Sequence, residues 1–103
     1  MVPKEKVKIL RWKIWEVSNY GNETIEFSGD EVQPGMTFNF FNCEKTKVII
    51  VGKCKNLMLQ RCKKMDIQID EALSMMEVIK CEGVKVRIQK KLQTLNIELC
   101  NEV

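Results

Sequence analysis

Four cysteines, Cys43, Cys62, Cys81 and Cys100, recur at a constant interval of nineteen positions along this chain. A period of that length restricts the fold more than any composition figure, because it calls for one small unit stacked on copies of itself. The apolar residues keep the same register. Phe40, Leu59, Val78 and Ile97 lie three places before the cysteines, and Phe38, Leu57, Met76 and Leu95 lie five before. After the cysteines come Val48, Ile67 and Val86, then Ile50, Ile69 and Ile88, then a set expected to comprise Cys54, Leu73 and Leu92.

Within each unit the apolar residues alternate with polar ones, which is the strand period. A unit with two short strands joined by corners cannot bury its inward face alone, whereas equivalent strands stacked in parallel bury a continuous column. The expected fold is therefore all-β, a right-handed parallel β-helix with about 19 residues per coil. A leucine-rich repeat of similar period is disfavoured, since it needs a leucine-dense frame and a helical return. Upstream, Ile25 and Phe27 resemble Val48 and Ile50 but precede them by twenty-three positions, which places an insertion in DEVQPGM, where Pro34 and Gly35 mark a turn. Val7, Ile9, Trp12 and Ile14 read as first strands or a cap, with Trp12 and Trp15 expected to cover the end of the column.

With 103 residues the chain is read as a single domain, 1–103. No apolar run approaches the roughly 20 residues of a membrane span, and MVPKEKVKIL lacks a signal-peptide apolar stretch, so no membrane partner and a cytoplasmic location are expected. Histidine is absent, which removes the commonest general base and metal ligand. The five cysteines include no CxxC knuckle, so free thiols packing the corners are expected, with no metal and no cofactor. A net charge of +3 and a pI near 8.6 fall short of a nucleic-acid module and suit an acidic protein partner better.

Trp12 to Val17, FNFFNC, VGKCKNLMLQRCKK and MEVIKCEGVKVRIQKKLQTLNIE together resemble the C-terminal domain of cyclase-associated proteins, from about Lys8 to Glu98. The most specific pieces are the GKCKN turn, the CKK after the next strand, and the order of the strands MEVI, VKVRI and TLNIE. The resemblance implies a right-handed parallel β-helix that forms homodimers, binds ADP-loaded actin monomers and promotes their nucleotide exchange without being an enzyme, in a cytoskeleton-associated setting. Family members continue beyond the strand matching Thr94 to Glu98 with a hairpin exchanged between subunits. Here that place reads Leu99, Cys100, Asn101, Glu102, so either a shortened version or a differently built dimer is expected.

Two groups of residues are candidates for a partner surface. Lys53, Lys55, Arg61, Lys63, Lys64, Lys80, Lys85 and Arg87 form basic columns suited to an acidic actin surface, with Asp66, Glu44 and Glu82 interleaved. Phe41, Ile49, Val51, Met58 and Ile79 alternate with core positions and therefore point outward, as a dimer or partner patch. Two other readings remain open. One is a tubulin cofactor C-like β-helix acting on a GTP-binding partner, with Arg61 in LQRC as its exposed arginine; the other is a non-catalytic scaffold.

Overall fold

The computed structural model describes residues 6–101. Its strands are β1 (Val7–Arg11), β2 (Ile14–Ser18), β3 (Thr24–Phe27), β4 (Thr37–Phe41), β5 (Lys47–Gln60), β6 (Asp66–Ile79) and β7 (Lys85–Glu98), with one 3₁₀ turn at Gly29–Glu31. Each of the last three strands runs through a bend and so supplies two faces of one coil. Successive coils pair in parallel: Val48 with Ile67 and Ile67 with Val86 on one face, Leu59 with Val78 and Val78 with Ile97 on the other. Each pair joins equivalent positions of neighbouring units of the repeat, so the chain is a parallel β-solenoid with the expected coil length.

Alternation dictates the core. Val48, Ile50, Leu57, Leu59, Ile67, Ile69, Met76 and Val78 are buried, and the residues between them stand outward. Cys43, Cys62 and Cys81 are buried at one turn of the coil, and Thr46, Met65 and Val84 form a further buried column beside them. Thr46 belongs there because its hydroxyl donates to the Glu44 carbonyl at 2.9 Å, which removes the cost of burying it.

The first coil follows the same plan with a longer turn. Ile14 pairs with Thr37 and Ile25 with Val48, so this coil is four positions longer than those that follow. The extra residues lie between β3 and β4, where the 3₁₀ turn delivers Val32 and Met36 into the core. Trp15 closes this end: its ring packs 5.1 Å from Phe27, and its indole N–H donates to the Glu31 carbonyl at 2.9 Å. Trp12 does not share that role. It occupies the tight turn between the antiparallel strands β1 and β2 at φ 58° and is 96% exposed, because a two-residue turn points its side chains away from the sheet. The covering charge comes instead from Lys8, whose ammonium lies 4.8 Å from the centre of the Phe27 ring.

Leu73 departs from the expected column. Cys54 pairs with Ala72, and Ala72 with Leu92, while Leu73 is 44% exposed. The bend of β6 comes one residue earlier than those of its neighbours, and the residue is recovered before Met75. The Asp70 carboxylate holds this bend in place by accepting the Gly52 N–H at 2.9 Å. Gly52 itself sits at φ 123°, a conformation open to glycine alone.

At the opposite end, β7 pairs only with β6 among the described strands. Its core-facing Ile88, Leu95 and Ile97 are therefore 40–45% exposed, and Leu99 more so.

Candidate protein-interaction surface

Each coil turns twice, once at the cysteine corner and once at the mid-strand bend, and the candidate cations divide between these places. At the cysteine corner the backbone takes a left-handed residue on either side of the turn. Asn19, Asn42, Arg61, Lys80 and Leu99 form the first such lane, with φ between 52° and 63°. Asn22, Lys45, Lys64 and Gly83 form the second. Between the lanes run Gly21, Glu44, Lys63, Glu82 and Asn101, joined coil to coil by parallel bridges. Lys63 is thus flanked by a carboxylate above and below. Arg61 with Lys80, and Lys45 with Lys64, stand next to each other with no acid between them.

Asparagine and glycine are the residues this geometry favours, since a Cβ in the left-handed region crowds the following carbonyl. Asn42 also donates its side-chain amide to Asn19 Oδ1 at 2.9 Å, an amide ladder along the first lane. Arg61, Lys64 and Lys80 replace that preference with long cations. The five ion pairs among the described residues involve Lys6, Lys8, Arg11, Lys53 and Arg87, so none of the corner cations has a carboxylate within salt-bridge distance.

The remaining cations lie elsewhere. Lys53 and Lys55 are exposed at the mid-strand bend, where Lys53 approaches Glu71 at 3.9 Å. Lys85 and Arg87 stand on the outward side of the face that follows the cysteine corner, and Arg87 pairs with Asp66 at 2.7 Å. The basic set therefore forms one ridge, Arg61, Lys63, Lys64 and Lys80, and two satellites. Lys45, which the nineteen-residue period already puts in one column with Lys64, belongs to the ridge by its position in the second lane.

The apolar candidates divide as well. Phe41 and Met58 line a groove of about 290 Å³ with Val7, Asn39 and Gln60, across the outward side of β2, β4 and β5. Met58 also borders a second groove of about 340 Å³ with Asn56, Met75 and Glu77. Ile79 lies in the column of Phe41, with Gln60 between them. Ile49 is on the other face, between Glu26 and Gln68, and Val51 is exposed at the bend.

The thiols sit directly inside the basic ridge. Each ladder sulfur faces the carbonyl two residues before it: Phe41 at 3.6 Å, Gln60 at 3.4 Å, Ile79 at 3.2 Å and Glu98 at 3.0 Å for Cys43, Cys62, Cys81 and Cys100 respectively. Hydrogen bonds also link Cys62 to Cys43 and to Cys81. Cys62, between two thiols and shielded from water, is held firmly protonated. The hydrogen bond from Cys62 brings Cys43 down to about 7 and Cys81 down to about 6. Cys54 lies off the ladder, and burial raises it to about 11.

The described residues contain no group of three or more His, Cys, Asp or Glu arranged for a metal ion, and no helix long and apolar enough to cross a membrane. What they present is a β-solenoid with a cationic ridge at one turn, shallow apolar grooves on one face and exposed apolar residues on β7.

Comparison with known proteins agrees with the β-solenoid fold. The profile of the family described as adenylate cyclase associated (CAP) C terminal matches residues 4–103, and the chain belongs to that family. It is 32% identical over 90 residues to an adenylyl cyclase-associated protein of Hydra viridissima, covering 86% of this chain and 18% of that protein. Adenylyl cyclase-associated protein 2 of Homo sapiens is 25% identical over 88 residues, covering 85% of this chain and again 18% of the relative. The chain thus spans under a fifth of the length of these relatives. The crystal structure of cyclase-associated protein from Cryptosporidium parvum superposes with a TM-score of 0.78 at 16% identity, covering 94% of this chain and 57% of that one.

Proposed function

We propose that this β-solenoid binds monomeric, ADP-loaded actin and promotes its nucleotide exchange, acting by contact and not as an enzyme. The observation that carries the reading is the cationic ridge. Arg61, Lys64 and Lys80 occupy left-handed corner positions that asparagine or glycine would fill at lower cost, and they lack acidic partners among the described residues. A solvated face needs no such arrangement, whereas attraction to an acidic partner uses it. The resemblance to cyclase-associated proteins implies actin as the partner, and membership of that family supports the reading.

The two turns of the coil make the test specific. Reversing Arg61, Lys63 and Lys64 to Glu removes the ridge, and reversing Lys53 and Lys55 removes the charge at the other turn. The ridge variant is expected to bind actin monomers more weakly and to slow exchange of a fluorescent nucleotide, with a stronger defect at low salt, where screening is least. The bend variant is expected to keep most activity. Equal activity of wild type and ridge variant, with unchanged circular dichroism, would move the actin surface elsewhere. The exposed Leu95 and Ile97 on β7 support a further element of the reading, a homodimer that covers them.

A further inference from the structure

The outward side of β2, β4 and the later halves of β5, β6 and β7 forms one face, and its charge is opposite to that of the chain. Register places Glu16, Asn39, Met58, Glu77 and Asn96 in a single column across it. The columns on either side add Glu98 and no cation, so Glu16, Glu77 and Glu98 are the charged groups that these strands turn outward here. β1 extends the face with Val7 and Ile9, and its Arg11 approaches Glu16 at 3.9 Å with both side chains well exposed. The chain as a whole carries a net charge of +3.

Apolar surface runs through the same face. The two grooves, of about 290 and about 340 Å³, meet at Met58. The first takes in Val7, Phe41 and Glu16; the second takes in Met75 and Glu77, with Lys55 at its margin. Val7, Ile9, Ile14 and Phe41 are exposed beside them. Thioethers such as Met58 and Met75 adapt to the shape of an apolar ligand. β2, β4, β5 and β6 are each hydrogen-bonded to a strand on both sides, so the face offers no free backbone edge to an added strand. A helix satisfies its own backbone groups and can lie on such a face. Glu16 and Glu77 are three coil steps apart, about 14 Å at about 4.8 Å per step, a length that about three helical turns cover.

We infer that this face binds a basic amphipathic helix of a partner protein, with the helix's apolar stripe over Phe41, Met58 and Met75 and its Lys or Arg residues reaching Glu16 and Glu77. Charge complementarity selects the occupant. An acidic helix would meet a carboxylate at either end of the paired grooves, and a purely apolar one would leave both carboxylates covered without a partner. The net positive charge of the chain repels a basic ligand at long range, so attachment depends on these local carboxylates. The face and the cationic ridge thus suit partners of opposite charge.

The probe is a fluorescent, amidated peptide of about 18 residues with leucine on one side of the helix and lysine on the other, and its counterpart has glutamate in place of every lysine. Fluorescence anisotropy with the full chain in physiological salt is expected to show saturable binding of the lysine peptide at tens of micromolar or below, and none of the glutamate peptide. Glu16→Gln with Glu77→Gln is expected to weaken binding at least tenfold, and Met58→Gln severalfold. Circular dichroism is expected to stay unchanged, since all three side chains point outward. Glu26→Gln with Glu44→Gln removes the same charge from the other face and the cysteine corner, and is expected to bind as wild type does. No binding of the lysine peptide, comparable binding of the glutamate peptide, undiminished binding in the Glu16 and Glu77 variant, or equal loss in the Glu26 and Glu44 variant would each overturn the assignment.

Discussion

Replacing Arg61 and Lys80 together by asparagine is expected to stabilise the solenoid while weakening its interaction with actin. Both residues hold left-handed backbone, at φ 54° and 52°. That conformation costs an L-residue with a long side chain roughly 1–2 kcal/mol, of which asparagine recovers a part, about 0.5–1 kcal/mol at each site. The two cations occupy neighbouring coils, so their repulsion adds up to about 1 kcal/mol in water and less in salt. An asparagine in place of Arg61 would also extend the side-chain ladder that Asn42 and Asn19 already form at 2.9 Å. The sum is about 2 kcal/mol, which for a domain of this size raises Tm by about 10 °C. Against this, two lost contacts of about 1 kcal/mol each weaken actin binding by tenfold or more. Thermal and urea melts read the first effect, and nucleotide exchange on actin monomers reads the second. A double variant with unchanged or lower stability would show that the corner imposes no strain on these side chains, and the argument that their charge is kept for a partner would fall.

Three further outcomes follow from the packing. Phe27 meets Trp15 at 5.1 Å, Phe38 at 4.8 Å and Lys8 at 4.8 Å, so Phe27→Ala is expected to cost about 3–5 kcal/mol in urea unfolding. Burial raises the Cys54 thiol from 9.0 to about 11, so its contribution to stability is complete below pH 9 and is lost as pH rises toward 11, because the unfolded thiol ionises first. Cys54→Ala is expected to lose less stability than wild type over that interval, and parallel pH profiles for the two would contradict the assignment. Self-association through the last coil is expected at tens of micromolar, a concentration suited to a modest interface. Leu95→Lys with Ile97→Lys is expected to abolish it in sedimentation while leaving circular dichroism unchanged, and an unchanged dimer would place the contact on another face.

The repeat of Cys43, Cys62, Cys81 and Cys100 is enough to set the fold class, the coil length and most of the core, because in a stacked strand the period and the side-chain alternation leave one arrangement that buries the apolar set. The larger offset of Ile25 and Phe27 likewise locates the insertion before β4. The column of Thr46, Met65 and Val84 keeps the period of the repeat but is hidden in the sequence, since Thr46 reads as a surface residue until its bond to the Glu44 carbonyl is known. Leu73 has the apolar character of Leu92, and only the early bend at Asp70 decides for Ala72. The basic residues are legible one by one. The period alone puts Arg61 with Lys80 and Lys45 with Lys64 on neighbouring coils, but which residues take left-handed backbone, and where the chain bends within a coil, is not written in residue type. What only the tertiary structure decided is the division of the cations, because the bend takes Lys53 and Lys55 to the other turn of the coil, away from the stacked corner of Arg61 and Lys80.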